Sequence, residues 1–491
     1  MNRITAIAPL TARVAARLTD RFAARSTARL AARLTARLTA RLTARSTARL
    51  TATLLAAGSV AGATSTSAAD VAGEAAVSTA LATAAFSAGT ADDIQRPLLV
   101  GFGPGARPWN FVGDGTIPHI DSLPFSGFVY NLPATWLTMN SETYGVFTET
   151  QIRDQFGGID HAFENLTENM VGVVIRRRGN GLPEGDFFDD EAWAINVDQM
   201  RLLARVASEP QHQCVGIAFD NEEYFEDVWN HPDDVAHADL YGLAQYEAKA
   251  RERGREMMLA ILEEWPSAIV MHLHGPYLSA PEPRPFEVSM NQVGGSQEYE
   301  LLAPFFMGMA EVAGDGQVID GGEVYQLRDR RQFGINRHWR ENDMAQSVVV
   351  PDELRDIWSD RVDFTHGLYN QTWPNPEDLM TPAIMRSTLA RALRSGDRMV
   401  WLFIEATETW LEEGGFPDAW RDAIEGGAAD ASRPACPGDA NEDGIVGTPD
   451  LLSVLAGWNG NGFGPADRDL DGDVDALDLL AVLGSWGACP E

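Results

Sequence analysis

The chain has 491 residues, 45% of them hydrophobic, with 13 Trp and 21 Phe, enough to build a sizeable core and to exclude a wholly disordered protein. Its 71 acidic residues outnumber 38 basic ones, a formal net charge of -33, which argues against nucleic acid or an anionic membrane as the main partner. Three Cys are too few for a disulfide-built mini-protein.

Arg recurs every four residues from Arg13 to Arg49, a spacing that gives a helix one basic stripe. Eleven Arg fall in residues 1–50 against Asp20 alone, so the remainder is more acidic than the whole. Residues 50–63 are apolar but too short to span a bilayer, and Ser67-Ala68-Ala69 supplies small residues for cleavage. Residues 1–69 are therefore expected to be a secretory signal peptide with a long Arg-rich first region. The mature chain is then expected outside the cell or at its surface, with no integral membrane segment. Residues 70–94, rich in Ala, Ser and Thr, read as a flexible linker.

From 95 to 429, short apolar runs alternate with helix-spaced segments. The runs are 98–102, 125–132, 170–175, 214–219, 268–273, 318–319, 362–368 and 399–404; helical spacing marks 191–207, 240–264 and 298–312. Eight such alternations predict an α/β fold of the (β/α)8 barrel type. An open doubly wound sheet is the alternative, but Gly101-Phe102-Gly103-Pro104-Gly105 lacks the helix that a phosphate fingerprint needs.

In a barrel, chemistry belongs at the C-terminal strand ends. Strand alternation turns Val215, Ile217 and Phe219 outward and Gly216, Ala218, Asp220 and Glu222 inward. Two further acidic strand ends follow, Asp320-Gly321-Gly322-Glu323-Val324-Tyr325 and Trp401 to Trp410 with Glu405 inside it. Converging carboxylates beside Tyr224, Tyr325, Trp401 and Trp410 suit glycoside hydrolysis: one carboxyl protonates the leaving oxygen, and another attacks the sugar or activates water. Aromatic faces pack on sugar rings. Glu222 is the candidate general acid, beside Asp220. Its partner is Glu323 or Glu405, with Glu323 ranked first for its Gly-Gly turn. His272 and His274 are expected on one strand face, bonding substrate or carboxylates; His-x-His can also bind zinc, which makes a metal-dependent hydrolase an alternative.

Asn221-Glu222 resembles the Asn-Glu pair of clan A glycoside hydrolases, whose Glu is the acid/base. That resemblance implies a polysaccharide or oligosaccharide substrate and no catalytic cofactor. Clan A enzymes carry their second Glu at the end of strand seven, where this chain reads Phe364-Thr365-His366-Gly367-Leu368-Tyr369. A non-catalytic, sugar-binding or scaffold barrel is the other alternative.

Residues 430–491 form a separate module. Asp439, Asn441, Asp443, Ile445 and Asp450 repeat as Asp467, Asp469, Asp471, Asp473 and Asp478, with Gly444 and Gly472 at the sixth loop position. That is the spacing of EF-hand calcium loops, so two Ca2+ ions are expected. Each loop runs into one duplicated helix, in which Leu451, Leu452, Leu455 and Leu479, Leu480, Leu483 are expected to form the shared core. The duplicated loop-helix unit resembles a dockerin. The resemblance implies a small all-α module that docks to a cohesin-like or other cell-surface protein, with Cys436 and Cys489 joined as in the Cys-flanked variant.

Overall fold

The computed structural model describes residues 97–491 except 101–119, 131, 139–145, 157–162, 177–185, 222–227, 234, 287–298, 373–379, 405–409, 411–413, 434–435, 442–443, 461–465, 469–472 and 490–491. The expected signal peptide and most of the linker lie outside these residues.

Ten short strands line the larger part: β1 (Leu98–Val100), β2 (Gly127–Tyr130), β3 (Trp136–Thr138), β4 (Asn169–Arg176), β5 (Cys214–Phe219), β6 (Ile269–His272), β7 (Val318–Asp320), β8 (Val362–Phe364), β9 (Gly367–Tyr369) and β10 (Trp401–Phe403). Every pairing among them is parallel. They run β8-β7-β6-β5-β4-β2-β1-β10-β9, with β3 extending β2 along β4. The two ends of that path, β8 and β9, are halves of one stave, separated by Thr365 and His366. The stave pairs β7 on one side and β10 on the other, so eight staves close into a ring. Each of the eight predicted runs supplies one stave, and the architecture is an α/β parallel-sheet fold.

Helices α1 (Glu149–Phe156), α2 (Asp190–Ala207), α3 (Leu243–Glu264), α4 (Leu302–Val312), α5 (Arg330–His338), α6 (Pro382–Ser395) and α7 (Asp418–Ser432) accompany the staves. Helix α3 starts three residues later than its apolar spacing suggests. Gly242 is extended there, and its N–H donates to the Gln245 side chain at 3.0 Å, fixing the cap. Helix α7 runs to Ser432, past the boundary expected after 429.

Side-chain alternation sorts the core into two layers. Leu98, Val129, Met170, Ala218, Ile269, Met271, Ile319 and Trp401 fill the ring, while Phe128, Val171, Ile217, Phe219 and Val270 pack outward against the helices. Val215 departs from the expected outward direction and packs against the inner layer. The pairing steps from Asn169↔Cys214 to Met170↔Gly216, leaving Val215 as the extra residue of a bulge that resets its direction. Gly216 sits so close to β6 that a Cβ would lie 2.0 Å from the Ile269 carbonyl oxygen.

The C-terminal module holds α8 (Thr448–Gly457) and α9 (Ala476–Gly484). It is not all-α: β11 (Ile445–Val446) pairs antiparallel with β12 (Gly487–Ala488). Cys436 and Cys489 form a disulfide beside this ladder. The core is Val446, Val454, Ala466, Val474 and Val482, with Leu451 and Leu479 partly buried. Leu452, Leu455, Leu480 and Leu483 were expected there but are 49–60% exposed. Helices of ten and nine residues turn one narrow stripe inward, and the valines occupy it.

Candidate active site

Three stave ends meet at the C-terminal mouth of the ring. After β5, the Asp220 N–H still donates to the Val173 carbonyl at 2.9 Å, extending the ladder by one residue. Asn221 then takes over from the backbone. Its Nδ2 donates to the His274 carbonyl at 2.9 Å, and its Oδ1 accepts the His274 N–H at 3.2 Å. This side-chain bridge holds the segment after β6 against that after β5.

The His274 imidazole is buried and stands between two side chains: Nδ1 lies 3.1 Å from the Tyr277 hydroxyl and Nε2 lies 3.3 Å from Glu323 Oε2. Burial, with Asp320 nearby, pushes the Tyr277 phenol well above its ordinary value, so it stays protonated.

Glu323 is carried by a turn with strict steric demands. Gly322 has φ +60, and a Cβ there would lie 2.3 Å from an Arg340 nitrogen and 2.4 Å from the Thr365 carbonyl oxygen. Gly275 is equally constrained, since its Cβ would meet the Asp320 carboxylate at 2.2 Å. Beneath the turn lies the fully buried Arg340, from a π-helical turn (Trp339–Asp343) that continues α5. It donates to Asp320 Oδ1 at 3.1 Å, to the Asp320 and Thr365 carbonyls at 3.2 and 2.7 Å, and lies 3.2 Å from His366 Nδ1. Burial raises the Asp320 carboxyl, with Arg340 and the Gly322 N–H opposing. Burial, then Arg340 and Arg337, hold His366 well below its ordinary value, and its Nε2 sits 3.0 Å from the Ser395 hydroxyl.

Asp220 and Glu323 are both buried. Glu222, Glu405 and Tyr224 lie outside the described residues. Three expectations are corrected. His272 does not share a face with His274; it points into the helix layer, stacked on Phe219 with ring centres 5.0 Å apart and its Nε2 3.2 Å from Met309 Sδ. The strand ends at His272, so the alternation that would align the pair stops there. The two imidazoles therefore do not converge as a metal pair. Trp410 packs on Trp420 and Phe416 in the helix layer rather than at the mouth. Trp401 is fully buried inside the ring, its Nε1 donating to the Gly321 carbonyl at 2.8 Å, and is filling rather than an open platform.

Tyr325 is at the mouth, stacked on Tyr369 with centres 4.8 Å apart; Tyr369 in turn stacks on half-buried Phe403 at 5.5 Å. Residue pattern alone assigned Tyr277, Arg340, Tyr369 and Phe403 no role. The Gly-Gly pair before Glu323 was the available signal, because glycines that close marked a crowded backbone.

In the C-terminal module, Asp439, Asp450, Asp467 and Asp478 are buried, while Asn441, Ile445 and Asp473 are exposed. Asp443, Asp469 and Asp471 lie outside the described residues. Asp450 accepts N–H bonds from Ala440, Asn441 and Gly447 at 2.7, 3.2 and 2.8 Å. Gly444, at φ +84, donates its N–H to Asp439 Oδ2 at 2.8 Å. Buried carboxylates at both ends of each loop, with a left-handed Gly444 in the first, fit a hard cation held by oxygen. Among the described residues, Cys436, Asp439 and Cys489 form the one trio with metal-ligand spacing, and its sulfurs are joined to each other.

No family model matches the chain, and no curated protein does. Solved structures similar to it include an exo-beta-1,4-mannosidase from Opitutaceae bacterium strain TAV5, 12% identical over 69% of this chain and 60% of that one, with a TM-score of 0.39. Xylanase 10B from Thermotoga maritima is 10% identical over 70% of this chain and 97% of that one, with a TM-score of 0.39. A sugar phosphate isomerase/epimerase from Parabacteroides distasonis ATCC 8503 is 8% identical over 70% and 97%, with a TM-score of 0.32. Several of the similar structures are glycoside hydrolases, but at such scores the strand pairings, not these likenesses, define the fold.

Proposed function

We infer that the chain is a secreted carbohydrate-active enzyme, a glycoside hydrolase working with paired carboxylates at the ring's mouth. Glu222 is the general acid. Glu323 is its partner across the cleft, ahead of Glu405 and Asp220. The observation that carries this reading is the Tyr277–His274–Glu323 chain, which sets a buried carboxylate against an imidazole whose backbone Asn221 bridges. A buried carboxylate positioned 3.3 Å from an imidazole nitrogen suits nucleophilic or general-base attack at a sugar carbon. The C-terminal module binds two Ca2+ ions and anchors the enzyme, dockerin-like, to a cohesin-like or cell-surface protein. A non-catalytic sugar-binding barrel is the second reading. It is favoured by one feature, the neutral His366 locked between Arg340 and Ser395 on the stave where clan A enzymes carry a Glu.

Incubating the full chain with a panel of polysaccharides and oligosaccharides, with product detection, tests both readings. Hydrolysis is expected, with turnover falling by roughly 10²–10⁴ in Glu323→Gln while the melting temperature stays nearly constant. Full activity in Glu323→Gln would move the role to Glu405 or Asp220, and binding without products would establish the second reading.

A further inference from the structure

Arg468 is the one basic residue among residues 436–491, which hold eleven acidic ones. It is buried, 5% exposed, and gives two of its donors to carbonyl groups of the other loop. Its Nε donates to the Pro437 carbonyl at 2.5 Å and a terminal nitrogen to the Asp439 carbonyl at 2.7 Å. Asp439 heads the first loop. The Arg468 backbone N–H meanwhile donates to the carboxylate of Asp478, which closes the second loop. One residue thus touches the last ligand position of one loop and the first of the other.

The duplicated unit does not return the contact. Ala440 holds the equivalent place in the first loop, and its N–H donates to Asp450 as that of Arg468 does to Asp478. Its methyl side chain has nothing with which to reach across. Position 2 is one of the places where the two loops differ.

We propose that Arg468 couples the two loops, so that Ca2+ in one raises the affinity of the other. The proposal rests on the calcium reading of the module. An ion in the second loop fixes Asp467 and Asp478, and with them the Arg468 backbone. The guanidinium is then held against Pro437 and Asp439 before the first loop closes, so that loop loses less conformational freedom on binding. Linkage makes the effect reciprocal. The disulfide at Cys436 holds the same turn from its other side, so Arg468 works against a fixed anchor. The positive charge itself opposes both ions, and the observable is therefore the coupling rather than either affinity.

Calorimetric titration of the calcium-stripped, oxidised full chain with CaCl2 tests this. Two ions are expected, the second bound about tenfold more tightly than the first after statistical correction, within the usual range for coupled sites. Asp450→Asn and Asp478→Asn, each disabling one loop, should lower the affinity of the intact loop by the same factor. In Arg468→Gln both ions should bind with the ratio close to one. Arg468→Lys keeps the charge but not the fork, and should behave as Gln does. Coupling that survives in Arg468→Gln, or two independent ions in the unaltered chain, overturns the proposal and leaves the calcium reading standing. Absence of any Ca2+ binding removes both.

Discussion

Asp320 at the ring's mouth and Asp450 in the C-terminal module are both fully buried carboxylates, yet their surroundings act in opposite senses. Around Asp320 burial wins and the carboxyl sits above its ordinary value, even with the Arg340 guanidinium against it. Around Asp450 burial pushes the same way, but N–H groups from Gly447, Ala440 and Asn441 outweigh it and hold the carboxyl below the usual range. The mouth carries its own cation, built in from a helix. The module arranges backbone dipoles so that its carboxylate stays charged, as the proposed calcium site needs. One site is finished when the chain folds; the other, on the calcium proposal, is completed by an ion.

The largest expected effect breaks the first half of that contrast. Arg340→Met leaves Asp320 buried without its partner, which should cost about 3–5 kcal/mol of barrel stability. Calorimetric unfolding should show the barrel transition fall and the module's transition stay. An unmoved barrel transition would mean that Arg340 is not what balances Asp320. Chelation addresses the second half. Excess EDTA should remove the helicity of α8 and α9, and Ca2+ at a hundred times its Kd should restore about 2.7 kcal/mol per ion, with the barrel unaffected. A module that keeps its circular dichroism in EDTA would erase the distinction.

A third test uses a buried group that has no counter-charge to help it. Burial pushes His272 down to about 3, whereas an unfolded chain titrates it near its ordinary ~6.5. Between those values the unfolded state takes up a proton that the fold refuses. Stability should therefore fall as pH drops through that window, by up to ~1.4 kcal/mol per unit from this group, and be unaffected above it. His272→Phe should flatten the melting temperature against pH; an unchanged slope would assign the acid sensitivity elsewhere. The smallest effect belongs to the exposed leucines. Leu452→Ser with Leu480→Ser should change module stability by no more than about 0.5 kcal/mol per site. The same pair should abolish calcium-dependent capture of a cell-surface protein, and stability loss in its place would return those leucines to the core.

The staves were legible because a continuous apolar run bounded by polar segments is stable only where both its faces are covered, and a parallel stave between core and helices offers that cover. Each of the eight runs became one. What failed was direction beyond a strand's last residue. His272 and His274 were aligned by an alternation that ends at His272, and Trp410 was carried to the mouth although β10 stops at Phe403. Val215 was misdirected by a bulge, which depends on the neighbour's register and leaves no mark in its own strand. Arg340 was invisible for a different reason. It reaches Asp320 from a helical turn twenty residues on, and an Arg in a polar helix reads as surface until its depth is known. The duplicated leucines misled because helical spacing gives the width of an apolar face, not which part of it a small partner covers.

The interrupted stave has a consequence for how the molecule comes together. Hydrogen bonding between β8 and β7, and between β9 and β10, brings the two ends of the sheet to either side of Thr365 and His366. At that seam the Thr365 carbonyl and the His366 imidazole are held by Arg340, so the last stave is seated by a side chain from outside the sheet. The same guanidinium shapes the turn that presents Glu323. Ring closure and the shape of the Glu323 turn are thus tied to one guanidinium. A chain halted before closure would be an open, twisted sheet with exposed edges and no competent site, and the first appearance of ligand binding would mark the moment the barrel shuts.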